Sequence, residues 1–366
     1  MNDIPEPDRV EGAPHPRDTV GLLGQRAAEA VFLDAWRQGR LHHGWLITGP
    51  RGVGKATLAW RIARFLLADA GGDSLDVAAD HPVSRRIAAQ SEARLFALRR
   101  AWDDDKKRLK TVITVDEVRR LKGFFGLSAA DGGRRVVIVD AADDMNVNAA
   151  NALLKVLEEP PAGVTMLLVS HQPSRLLPTI RSRCRELRLG VLPPEDMRAA
   201  LAAAGTATDD PAALSELAAG SVGEAIRLAN LDGLRLYAAL VALFGTLPRL
   251  DRTRALALAD SVTGRAAEPR LDLMLTLFDL FLSRLARAGV AGPPRTEAAS
   301  GEAALLARLS PDAAAARRWA DLHQTLGARA RHARAVNLDP AALLLDMVFK
   351  VDETAAQLGA PMRQGA

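Results

Sequence analysis

Gly49-Pro50-Arg51-Gly52-Val53-Gly54-Lys55-Ala56 follows the apolar run Gly44–Thr48 and opens the helical pattern of residues 57–66. Strand, glycine loop and helix in that order predict a phosphate-binding loop. The glycines let the backbone N–H groups turn inward, the helix offers the positive end of its dipole, and Lys55 reaches for the outer phosphates. Gly49, Gly52, Val53, Gly54, Lys55, Ala56 and Thr57 are therefore the candidate nucleotide contacts. One part of the pattern is missing. A Ser or Thr should follow the lysine and hold Mg²⁺ through its hydroxyl; here the residue is Ala56, and Thr57 is turned about 100° further round the helix. A glycine-rich turn without a ligand is the plainer alternative, and it explains the flanking strand and helix less well.

Arg134-Arg135-Val136-Val137-Ile138-Val139-Asp140 is the second decisive stretch. Consecutive β-branched residues without alternation suit a central parallel strand covered on both faces. A carboxylate at the end of such a strand is where a phosphate-loop protein keeps the acid for Mg²⁺, which makes Asp140 a candidate. Ala141 follows it, where hydrolysing DExx-type enzymes carry a glutamate that polarises water. Asp143 reads as a helix-side or surface acid.

Residues 164–170 form another continuous apolar strand, and residues 185–189 alternate like an edge strand. The helical run 148–159 is stopped by Pro160 and Pro161. Thr114-Val115-Asp116-Glu117 reads as a capping box, Thr114 accepting from the first turn and Glu117 reaching back, before a helix with Val118, Leu121 and Phe125 on its core face. Strands separated by helices imply an α/β core with a parallel sheet. An upstream helix over residues 26–37 should bury Ala28, Val31, Phe32, Ala35 and Trp36.

Composition bounds the rest. At 366 residues, with 48% hydrophobic and 25% charged side chains, the chain has room for two or three domains. Lys+Arg 48 against Asp+Glu 44 leaves a net charge of +4, which permits nucleic-acid contact without arguing for it. A single cysteine, Cys184, excludes an internal disulfide framework and a multi-cysteine zinc module, and suits a reducing cytoplasm. No apolar segment is long enough to span a bilayer, and no leader pattern opens the sequence, so neither membrane insertion nor secretion is expected.

Four parts follow. Residues 1–17, rich in proline, read as a disordered tail; 18–190 as the phosphate-loop core; 191–230 as a lid of three short helices with Gly205 and Gly220 as punctuation; 231–366 as a helical domain interrupted by a Gly/Pro linker at 289–300. Residues 69–93 look like an excursion from the core, and 99–108, which mix both charges around Trp102, like a solvated loop with a nucleic-acid or partner contact as the alternative. His42 and His43 are adjacent, but neighbours on extended backbone point opposite ways, which argues against a metal pair.

The phosphate-loop region from Gly39 to Lys55, the string Asn151-Ala152-Leu153-Leu154-Lys155 running to Leu157-Glu158-Glu159-Pro160-Pro161, and Arg181-Ser182-Arg183-Cys184 together resemble the clamp-loader branch of the AAA+ ATPases, and within it the delta-prime family of bacterial DNA polymerase III. The resemblance implies a RecA-like AAA+ core with a parallel sheet, a small three-helix lid supported by Gly220-Ser221-Val222-Gly223, and an all-helical C-terminal collar that joins an open ring. It implies a non-hydrolysing stator that helps gamma/tau and delta subunits place a sliding clamp on primed DNA, with Arg183 as a finger entering a neighbour's nucleotide site. It also implies a degenerate site that holds ATP or ADP at most. Ala56, Ala141 and Gly223 stand where motor subunits keep a metal hydroxyl, a catalytic glutamate and a lid arginine, and His171 stands near a polar sensor position. Many relatives carry a four-cysteine zinc module that this chain lacks, so no zinc is expected. The competing readings are an active AAA+ motor using Lys55 and Asp140 with Thr57 as stand-in metal ligand, and a small-molecule kinase.

Overall fold

The computed structural model describes residues 5–127, 133–263, 267–335 and 338–359. Its contacts divide the chain into two compact units, Met1–Thr206 with Gly220–Ile226, and Ala207–Ala219 with Arg227–Ala366. The expected lid is thus shared between the units along the chain.

The first unit begins with helix α1 (Arg26–Arg37) and strand β1 (Gly44–Thr48), followed by the long α2 (Lys55–Leu67) and short α3 (Pro82–Ala88). Strand β2 (Leu95–Arg99) leads into a small hairpin of β3 (Trp102–Asp103) and β4 (Arg108–Leu109), then α4 (Val115–Leu127), β5 (Arg135–Asp140), α5 (Val147–Glu158) and β6 (Val164–Val169). The one-turn α6 (Pro178–Arg181), β7 (Arg185–Arg188) and α7 (Pro194–Ala203) complete it, together with the start of α9 (Val222–Asn230), which follows α8 (Pro211–Ala218).

Five strands make one parallel sheet in the order β2-β5-β6-β1-β7. The unbroken apolar runs sit in its middle: every residue of β1 and β6 is buried, and so is β5 up to Asp140. The register sets Val139 against Leu168 and Ile47 against Val169, so the carboxyl ends of β5, β6 and β1 reach one edge together. Helices α4 and α5 cover one face, where Val118, Leu121, Leu153 and Leu157 pack on Val137, Val139, Met166 and Leu168.

Local chemistry starts and stops these helices. Asn146 accepts from Ala149 N at 2.9 Å at the start of α5, whose helix ends before Pro160 and Pro161. At α4 the capping box is one-sided. Glu117 accepts from Thr114 N at 2.7 Å, but the Thr114 hydroxyl also donates to Glu117 and so does not cap the first turn. Lys110 at 2.8 Å adds a cation, and with these donors the Glu117 carboxyl falls to about 2 although burial acts the other way.

Several expectations change. Helix α1 buries Ala28, Phe32, Leu33 and Ala35 and leaves Val31 exposed, so its core face is rotated toward Leu33. The excursion at 69–93 contains α3, with Val83 and Ile87 buried. The expected loop at 99–108 forms the antiparallel β3–β4 pair, tied by Arg100 to Asp144 at 3.1 Å. The His42 and His43 rings stack at 4.4 Å rather than diverge, because β1 begins only at Gly44 and these two residues lie outside it. The stretch read as a loose tail carries, in residues 5–17, side chains that bind to one another and to β2, and His15 is 2% exposed.

The second unit is helical: α8, α10 (Gly233–Phe244), α11 (Arg252–Asp260), α12 (Ala267–Ala291), α13 (Glu302–Leu309), α14 (Ala313–Ala335) and α15 (Pro340–Gly359). Phe244 packs on Phe278 and Phe281 at 5.6 and 5.0 Å. In its core the fully buried Glu302 accepts from Tyr237 Oη at 2.5 Å and Ala298 N at 2.8 Å and pairs with Arg284 Nε at 2.7 Å, which spreads the charge over several donors. The linker expected from Gly289 begins later than that, because α12 runs through it. A methyl on Gly289 would meet Asp312 O at 2.3 Å, so this glycine permits close packing before α14 rather than a bend.

Candidate functional site

The loop after β1 turns on three glycines with positive φ: Gly49 at 138°, Gly52 at 75° and Gly54 at 100°, conformations that side chains with a Cβ resist. Gly54 is the N-cap of α2, so the loop ends at a helix N-terminus as the sequence predicts. The loop is backed by the start of α9: Gly223 N donates to Gly52 O at 3.0 Å and Ser221 Oγ to Arg51 O at 2.8 Å. A methyl on Gly223 would meet Gly52 Cα at 2.8 Å, so the two glycines touch backbone to backbone. Any side chain at this position would start with its Cβ against the Gly52 backbone, so one of the two segments would have to shift.

Lys55 is 3% exposed and folds back on its own loop, donating to Gly49 O at 2.7 Å and to Pro50 O. Desolvation lowers its ammonium to about 8, against the support of Asp140 and Asp143. Val53 is buried beneath the loop, and Ala56 and Thr57 are half-buried on α2. Asp140 lies at the end of β5, where desolvation pushes its carboxyl up to about 7; the neighbouring charge of Asp8 adds to this and Lys55 opposes it. Ala141 is buried and brings no acid.

Asp143 lies on the helix side of the end of β5, and its carboxylate is bonded there. It sits in a one-turn 3₁₀ helix at Ala142–Asp144 and accepts from Ser170 Oγ at 2.7 Å, His171 N and Gln172 N at 3.2 Å, tying the end of β5 to the end of β6. The apolar run before Ser170 gave no sign of this brace, which depends on two strand ends meeting. His171 is held neutral, its ring lowered to about 4 by burial and by the charges of Lys55 and Arg51, and its Nδ1 has no hydrogen-bond partner among the described residues. The glycine turns and the helix N-terminus fit phosphate oxygens, and so does that orphaned nitrogen in the tautomer that carries its proton on Nδ1. The same edge fits a magnesium ion poorly, since neither Ala56 nor Ala141 can ligate it. Among the described residues no group of three or more His, Cys, Asp or Glu side chains is placed to hold a metal.

Arg183 is not brought to this edge. It follows α6, just before β7, where Arg185 pairs with Trp45 near the start of β1, while the phosphate loop follows the end of β1. The intervening five-residue strand is about 16 Å long. Arg183 is 37% exposed, with Nη2 2.9 Å from Glu158 Oε1 and Nη1 donating to Thr179 O at 3.0 Å. Beside it the half-buried Cys184 thiol is pushed up to about 12 by desolvation.

A parallel sheet in the order 2-5-6-1-7, a phosphate loop after β1, an acid after β5 and a polar residue after β6 define a P-loop protein of the AAA+ class. The family profile described as DNA polymerase III, delta subunit, matches residues 24–193. DNA polymerase III subunit delta' of Pseudomonas aeruginosa is 40% identical over 193 residues, 52% of this chain and 56% of that protein. Subunit delta' of Escherichia coli K12 is 31% identical over 256 residues, 66% of this chain and 70% of that protein. Subunit gamma of Buchnera aphidicola is 29% identical over 219 residues, 58% of each chain. The chain thus spans little more than half the length of the Pseudomonas and Buchnera proteins. It belongs to the delta' family of DNA polymerase III subunits. No helix among the described residues is long and apolar enough to cross a membrane.

Proposed function

We propose that this chain is a stator of a DNA polymerase III clamp loader, assembling with gamma/tau and delta subunits and helping to place a sliding clamp on primed DNA without hydrolysing ATP itself. The observation that carries the reading is the pair Ala56 and Ala141, two side chains without ligating or basic atoms where the reaction needs a metal hydroxyl and a water-polarising acid. The candidate contacts Gly49, Gly52, Val53, Gly54, Lys55, Ala56, Thr57 and Asp140 then form a degenerate site for ATP or ADP. A bound nucleotide would place its phosphates against the loop N–H groups, with Lys55 exchanging its carbonyl partners for phosphate oxygens and the neutral His171 ring offering Nδ1.

Arg183 lies by the opposite end of β1 from this chain's own phosphate loop, a placement that suits a residue serving another molecule. Its planar guanidinium, already paired with Glu158, would exchange that carboxylate for the phosphoryl oxygens of a neighbour. The helical residues from about 231 onward would supply the collar. The retained Lys55 and Asp140 favour the competing reading, an active motor. Steady-state ATPase measurements on the purified chain and on Lys55→Ala separate the two. The stator predicts equal background rates, and turnover near 1 s⁻¹ or above that vanishes in the variant would refute it.

A further inference from the structure

The stretch upstream of α1 has neither helix nor strand over residues 5–17, yet it is held by charge. Asp8, its side chain 2% exposed, pairs with Arg99 Nη1 at 2.7 Å and with His15 Nε2 at 3.2 Å. Glu6 pairs with Arg99 Nη2 at 2.9 Å and with Arg17 Nη1 at 2.6 Å. Two carboxylates thus meet two guanidiniums around a buried imidazole, whose ring also sits edge-on to Trp60 of α2 at 5.8 Å. Arg99 ends β2 and is in register with Asp140 on β5, so the clasp closes at the strand ends that carry the candidate site.

From there the segment crosses the loop. Val10 Cγ2 lies 3.6 Å from where a methyl on Gly223 would stand, beside Gly52. Further on, Arg64 Nη2 donates to Arg17 O at 2.6 Å, Arg61 Nη1 donates to Val20 O, and Leu22 Cδ1 lies 2.6 Å from where a methyl on Gly54 would stand. The crevice beyond the carboxyl ends of parallel strands is where such sheets bind ligands, and here a segment of the same chain lies over it. Its Asp8 carboxylate also brings negative charge to Asp140, where a phosphate chain would bring more.

We infer that residues 5–17 form a strap over the phosphate loop, fastened by the Glu6–Asp8–His15–Arg17–Arg99 clasp, and that a nucleotide reaches the loop only when the clasp opens. This rests on reading the loop as a nucleotide site. Affinity then falls by the fraction of molecules with the clasp open. Clasp-breaking substitutions tighten binding, which is opposite to what damage to a site does.

The test measures binding of a fluorescent ADP analogue by anisotropy to the full chain, to Glu6→Gln/Asp8→Asn, and to Arg99→Gln, each with and without Lys55→Ala. Hydrogen exchange at the amides of Ala13 and Asp18, which donate to Val10 O and His15 O, reports the strap, and the β5 amides report the fold. The expected result is faster exchange at Ala13 and Asp18 with β5 still protected, binding tightened by about tenfold or more in both clasp variants, and loss of that binding with Lys55→Ala. Equal affinity in wild type and both variants overturns the strap while leaving the nucleotide site standing. No binding in any of them overturns both. Unchanged exchange at Ala13 and Asp18 overturns the clasp.

Discussion

Replacing Asp140 by Asn removes a carboxylate that the fold holds under strain at neutral pH. Its ordinary value is 3.8, and desolvation first, then the charge of Asp8, raises it to about 7 despite Lys55. Between these values the folded chain keeps a proton that the unfolded chain has released. The contribution of Asp140 to stability is therefore greatest below 3.8, falls as pH rises through 7, and levels off above it. At about 1.4 kcal/mol for each pH unit, the ionised carboxylate costs the folded state up to roughly 4 kcal/mol at pH 8, an upper bound because the half-buried group keeps some access to water. Asn has nearly the same shape and no charge to lose. Urea unfolding of wild type and Asp140→Asn at pH 4 and pH 8 should show near-equal midpoints at the lower pH and a more stable variant at the higher one, with unchanged slopes. Equal or lower stability of the variant at pH 8, or a difference independent of pH, would refute the reasoning.

Gly223→Ala puts a methyl 2.8 Å from Gly52 Cα and should lower stability by about 1–3 kcal/mol, read as a lower thermal midpoint; an unchanged midpoint would mean the two glycines do not touch. Arg183→Ala should leave the fold and assembly intact but slow ATP turnover at the adjoining subunit by about an order of magnitude or more, measured in an assembly where only that subunit hydrolyses. Unchanged turnover would reduce Arg183 to a surface charge. A chain truncated after Asn230 should fail to co-elute with gamma/tau and delta subunits, and co-elution as tight as the full chain's would remove the collar role from the helical region.

The sheet was legible where its residues state their own environment. Residues 136–139 are a continuous apolar run, and 164–169 are one broken only by Thr165, because both faces of β5 and β6 are covered, and Pro160 ends α5 by local geometry alone. The loop was equally plain, since its glycine spacing is a backbone requirement. What sequence left hidden depends on distant partners. Prolines at 5, 7, 14 and 16 describe a segment unable to form a helix or strand, but its order comes from Arg99, more than eighty positions away. Asp143 gave no sign that it would brace the end of β6, and Gly289 is indistinguishable from a linker glycine until Asp312 approaches it. The domain edges were hard to place for a related reason. Three short helices look alike in sequence, whereas their allocation between the units follows from what each one packs against.

The Cys184 thiol has a practical consequence for anyone wishing to watch this molecule move. At about 12, its reactive thiolate amounts to on the order of one molecule in ten thousand at pH 8, so maleimides will react with it slowly. Because it is the sole cysteine, a second one introduced at the exposed Val10 would take a fluorophore selectively without further engineering. A dye there would sit over the phosphate loop, where its emission could be followed in single molecules as nucleotide or neighbouring subunits are added.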